Sequence, residues 1–134
     1  MGACRDIPAD ALRQARGLGV IFGHQSVGAN LLEGFAALME EDAERYEFVS
    51  VSEPDGSWTG EGFAEFAVGE NEDPLGKIRH FREKLDREGL GKRAKVAMMK
   101  LCYVDFTEDV GRANDIFGQF RDTMEALEKK FPDL

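Results

Sequence analysis

"VIFGHQSVGANLLEGF", residues 20–35, decides how this chain is read. It starts as a short apolar run, stops at the polar cluster His24-Gln25-Ser26, and resumes with Val27, Leu31 and Phe35 at helical spacing. That pattern is a buried strand handing the chain directly to a helix. The amino end of such a helix carries unpaired N–H groups and a partial positive charge. A serine placed there can cap the helix, cradle an anion, or attack as a nucleophile whose oxyanion meets those same N–H groups. The spacing is not that of the nucleophile elbow G-x-S-x-G, because Gly23 stands three residues before Ser26. It is not a phosphate-binding Walker loop either, since no G-K-[ST] ending follows.

Working outward, "IPADALRQARG" reads as a helix with Pro8 near its start and Gly17 at its end. Leu38 extends the apolar stripe of the second helix, and "YEFVSVS" alternates as a second strand. Residues 53–73 contain Pro54, several glycines, Trp58, Phe63 and Phe66 without a clear period. They read as a long functional loop, with at most a short helix over 62–68. Asp73 caps the next helix with Pro74 at its first position, and Leu75, Ile78, Phe81 and Leu85 form its buried stripe. "KVAMMKLCYVDF" is the third strand. The last helix carries Val110, Ala113, Ile116, Phe117, Phe120, Met124, Leu127 and Phe131 at steps of three and four.

Helices alternating with strands imply a parallel sheet wound by right-handed crossovers, an α/β fold of three layers. The expectation is a flavodoxin-like sheet cut to three strands in the order 2-1-3, a single domain over residues 1–134 that stops mid-fold. Its third strand would be a bare apolar edge, and such an edge invites pairing with another copy as a homodimer.

The 134 residues suffice for one domain with a real core, and 43% hydrophobic with 32% charged residues fits a water-soluble chain. Seventeen basic against 26 acidic side chains give a net charge of −9. Nucleic-acid binding needs a basic footprint and is excluded as a reading. No apolar stretch approaches the ~20 residues of a membrane span. Cys4 and Cys102 make no disulfide framework, and Cys102, closing an apolar run, reads as a buried thiol. "MGAC" has the form of a lipoprotein cleavage site, so an exported or lipid-anchored origin through Cys4 stands beside a cytoplasmic one.

Three stretches reach the carboxyl edge of the sheet, where ligands of open α/β sheets bind. These are "GHQSVG", "GENEDP" and "CYVDF". Together, "FGHQSVGANLLEGF", "VGENEDPLGKI" and "MMKLCYVDF" resemble a bacterial branch of the SGNH (GDSL-like) hydrolase superfamily, in which G-H-Q-S stands where G-D-S is usual. The resemblance covers roughly residues 19–106 and implies a flavodoxin-like fold and ester hydrolysis, often of acyl groups on carbohydrates and lipids. It implies Ser26 as nucleophile, Gly69 and Asn71 as oxyanion-hole candidates, and Asp105 at the third-block position, where the family's G-x-N-D would place Asn then Asp.

The family's base comes from a carboxyl-terminal D-x-x-H block, and this sequence has none. His24, two residues from Ser26, is the nearer substitute, because residues two apart share a strand face. His80 lies off its helix's apolar stripe and reads as solvated. Without a base a serine hydroxyl is a poor nucleophile, so an incomplete hydrolase of weak or no activity is expected. The alternative is a flavodoxin-like module that binds an anion or nucleotide without catalysis. The acids Asp105, Glu108 and Asp109 lack metal-ligand spacing and suit a helix start, so neither metal nor cofactor is expected.

Overall fold

A computed structural model describes residues 7–107 and 110–134. Cys4, Glu108 and Asp109 lie outside the described residues. The element order is α1 (Ala9–Arg16), β1 (Val20–His24), α2 (Ser26–Glu41), the helical turn α3 (Ala43–Tyr46), β2 (Ser50–Ser52), β3 (Phe63–Ala67), α4 (Pro74–Asp86), β4 (Val96–Met99) and α5 (Ala113–Lys130). All strand pairs are parallel and the sheet order is β2-β3-β1-β4. The α/β architecture and parallel sheet expected from the alternation are therefore present, with one strand more than expected.

The extra strand is β3, inside the stretch read as a loop or short helix. In "FAEFA" the alternation is masked in the sequence, because Phe63 and Ala67 stand on the same face as Glu65. Phe63 meets Phe22, Phe35 and Phe48 on one side, while Ala64 and Phe66 enter the opposite core. Its insertion corrects the order 2-1-3: "YEFVSVS" supplies the outer strand β2, and β3 is the neighbour of β1. Parallel neighbours usually need a helical crossover. Here residues 53–62 make the return, anchored by Trp58, which is buried in the core and donates its indole N–H to the Glu61 carbonyl at 3.1 Å. Gly60 and Gly62 sit at φ +86° and +75°, backbone that only glycine adopts without strain.

The two faces are packed unequally. On the α4–α5 face, Ile21, Phe66, Phe81, Leu85, Leu127 and Phe131 form a dry core, and each fully buried side chain of this size contributes about 1.5–3 kcal/mol. Gly23 belongs to this face for steric reasons, since a Cβ there would lie 2.9 Å from the Phe81 ring. On the α2 face the expected stripe is half open: Val27, Leu31 and Phe35 are 39%, 53% and 38% exposed. Gly28 is the only buried residue of α2, and its bare Cα is pressed onto His24. At the far edge, Val96 and Met98 of β4 remain exposed, as does Phe117 on α5.

Candidate functional site

The chain runs from β1 to β2 and β3 on one side, then crosses β1 to reach β4 on the other. The winding reverses at β1, which places the ligand crevice of an open α/β sheet at its carboxyl end. His24 is the last residue of β1, Gln25 is the N-cap of α2, and Ser26 is its first helical residue. Ser26 therefore does not occupy the capping position. Its side chain is exposed and its hydroxyl makes no hydrogen bond among the described residues. Gly28 already donates to the Gln25 carbonyl at 2.7 Å, while the N–H groups of Ser26 and Val27 have no intrahelical acceptor.

Gln25 holds this corner to the next loop. Its amide donates to the carbonyls of Val68 and Gly69, at 3.1 and 2.6 Å. Gly69 has φ +53° and gives its N–H to His80 Nδ1 at 2.9 Å. That bond requires an unprotonated Nδ1, so the neutral ring carries its proton on Nε2. His80 is thus not the solvated side chain expected: it is half-buried, edge-on to Phe66, and fixes Gly69. Both backbone polar groups of Gly69 are engaged, which leaves no N–H there for an oxyanion.

His24 is also committed. It is 7% exposed, stacked on Phe22, and its Nε2 lies 2.9 Å from Glu65 Oε2. Its Nδ1 lies 3.0 Å from the Gln25 carbonyl oxygen. Both ring nitrogens are turned to oxygens other than the Ser26 hydroxyl, so the ring is not placed to take its proton. The shared-face argument needed the strand to persist to Ser26, but β1 ends at His24 and the ring is turned to Glu65 on β3.

A third cluster ties the remaining loops together. Lys77 and Asp105 form an ion pair at 2.8 Å with both side chains fully buried. Lys77 also donates to Asn71 Oδ1 at 3.0 Å. Asp105 accepts from the Glu72 N–H at 3.0 Å and the Cys102 N–H at 2.7 Å. Glu72 has φ +69°, a strained backbone for a side-chain-bearing residue, and its bond to Asp105 holds it there. Asp105 is thus a buried strut beneath the crevice, and Cys102 is a buried free thiol as expected. Asn71 is exposed with its carbonyl oxygen fixed by Lys77, which leaves the amide N–H₂ as the outward-facing donor end.

Sequence reasoning named Ser26, Asn71 and Asp105 as candidates, gave Gln25 no role, and did not single out Lys77, Glu65 or the place of His80. Lys77 gave one signal: it stands four residues before Phe81, on the buried side of α4. Among the described residues no group of three or more His, Cys, Asp or Glu side chains is arranged to hold a metal ion. No described helix is long and apolar enough to cross a membrane. Comparison with family models, curated proteins and solved structures found no match.

Proposed function

We propose that the chain is the nucleophile-bearing portion of an SGNH-type acyl hydrolase, acting through Ser26 on small-molecule or carbohydrate esters. One observation carries this reading. The Ser26 hydroxyl is exposed and unbonded on the first residue of the helix that follows the central strand, at the winding reversal. A capping serine would stand one residue earlier and spend its oxygen on the helix N–H groups. The neighbouring loop favours neutral esters over anions, because Glu70, Glu72 and Asp73 follow Gly69, to which Gln25 is bonded.

In the proposed reaction Ser26 Oγ bonds to the ester carbonyl carbon, and the developing oxyanion meets the free N–H groups of Ser26 and Val27. The bond to the leaving alcohol breaks, the acyl group stays on Ser26, and water then releases it as the acid. Among the described residues no side chain contacts Ser26 to take its proton, so water accepts it. Aryl esters with good leaving groups should react and alkyl esters should not. In the same reading the free edge of β4, with Val96 and Met98 exposed, pairs with a second copy.

Hydrolysis of p-nitrophenyl acetate tests the assignment. The expected result is slow turnover, within the roughly 10³–10⁴-fold over water that oxyanion stabilisation and binding alone sustain. The rate should rise with pH without a plateau near the histidine range, and Ser26→Ala should abolish it. Equal rates for Ser26→Ala and the unaltered protein would overturn the assignment.

A further inference from the structure

The half-packed α2 face holds a pocket of about 290 Å³, partly open to solvent. It lies at the other end of β1 from Ser26, against Val20, roughly 13 Å along the strand from His24. Leu12 of α1, Leu18 in the turn after it and Leu38 of α2 supply aliphatic wall. A further part of the wall is aromatic. Phe35, Phe48 and Phe63 meet there pairwise, edge to face, with ring centroids 5.5, 5.6 and 5.9 Å apart and planes inclined by 74°, 64° and 70°.

Three polar side chains reach the pocket, Arg16, Arg45 and Tyr46, and all three are committed to the protein. Arg16 donates to the carbonyls of Glu44 and Arg45. Arg45 donates to the Ile7 carbonyl at 2.6 Å and to the Tyr46 hydroxyl at 3.2 Å, and it is engaged in a further interaction besides. These bonds tie α1 to α3 at the rim. Among the described residues no carboxylate, imidazole, amide or aliphatic hydroxyl side chain lines the pocket. A charged group carried into it would trade water for hydrocarbon.

We propose that this pocket binds a neutral aromatic compound of two fused rings, with naphthalene as the simplest member of the class. An apolar cavity of about 150 Å³ takes up benzene. The larger volume here has room for a second ring. The three phenylalanines offer a flat ligand both edges and faces at the spacing that aromatic pairs prefer, which a saturated chain of the same size cannot use. The site is independent of Ser26 and stands whether or not Ser26 is a nucleophile.

Titrating the intact protein with naphthalene and, separately, with 2-naphthoate tests this by amide chemical-shift mapping and by thermal shift. Naphthalene should raise Tm and move the amides of Leu12, Leu18, Leu38 and Phe48 while leaving Ser26 unmoved. It should bind at least about tenfold more tightly than 2-naphthoate, which carries the same rings and a charge. Phe48→Leu keeps the wall apolar but removes one ring, and should weaken naphthalene binding at least about threefold. The proposal is overturned if naphthalene moves no pocket amides, if 2-naphthoate binds as tightly, or if Phe48→Leu binds naphthalene as well as the unaltered protein does. The first two outcomes are read on the unaltered protein alone, so a folding defect in the variant does not shield the proposal.

Discussion

At the scale of the residue, the crevice is held by side chains that are not themselves free to react. His24 gives its nitrogens to Glu65 and Gln25, His80 secures Gly69, and Lys77 with Asp105 locks the loops after β3 and β4. Among the described residues, the exposed Ser26 has no hydrogen bond to its hydroxyl oxygen. The buried ion pair has a definite energetic signature. Removing one partner strands a buried charge, so Lys77→Met or Asp105→Leu alone should destabilise the fold by about 3–5 kcal/mol. The double variant should recover most of that loss, because it leaves no unpaired charge behind. Urea unfolding of the three variants measures this, and a simple sum of the two single losses would refute the pair as the source.

At the scale of the element, α4 and α5 are joined at their exposed ends by Asp86 and Lys130. The hydrogen bond from Lys130 holds the Asp86 carboxyl below its ordinary value of 3.8, and the charges of Lys130, Arg82 and Arg87 act in the same direction. A depressed carboxyl stabilises the fold above its unfolded-state value and loses that contribution as pH falls through the folded-state value. Lys130→Met should therefore lower Tm slightly at neutral pH, and the difference should fade below pH 3.8. Thermal melts of both proteins across that range read it directly. Elements with one-sided burial were legible in the sequence: the capped start of α4 at Asp73, and the strand-to-helix junction at Ser26. β3 was not, because Phe63 and Ala67 put apolar side chains on the same face as Glu65 and mask the alternation that burial follows, with only Ala64 and Phe66 buried. The roles of Lys77 and His80 were hidden for a different reason. Their partners, Asp105 and Gly69, are brought to them by the sheet and not by sequence spacing.

At the scale of the whole molecule, the asymmetry between the two faces dominates. The α4–α5 side is closed and dry, whereas the α2 side keeps an apolar pocket and leaves Val27, Leu31, Val96 and Met98 exposed. With β4 unpaired at the sheet edge, a two-fold pairing through it should give a dimer whose population rises with concentration. Light scattering over a hundredfold concentration range checks this, and a constant monomer mass would rule the pairing out. The same large-scale geometry puts Ser26 at the winding reversal, a placement that depends on all four strands. The central claim, that this hydroxyl is a nucleophile, is tested most directly by incubating the intact protein with a fluorophosphonate and locating the adduct by peptide mass spectrometry. One phosphonyl group on Ser26, absent in Ser26→Ala, is the predicted result. An unmodified Ser26, after exposure that labels other serines of the same chain, would contradict it.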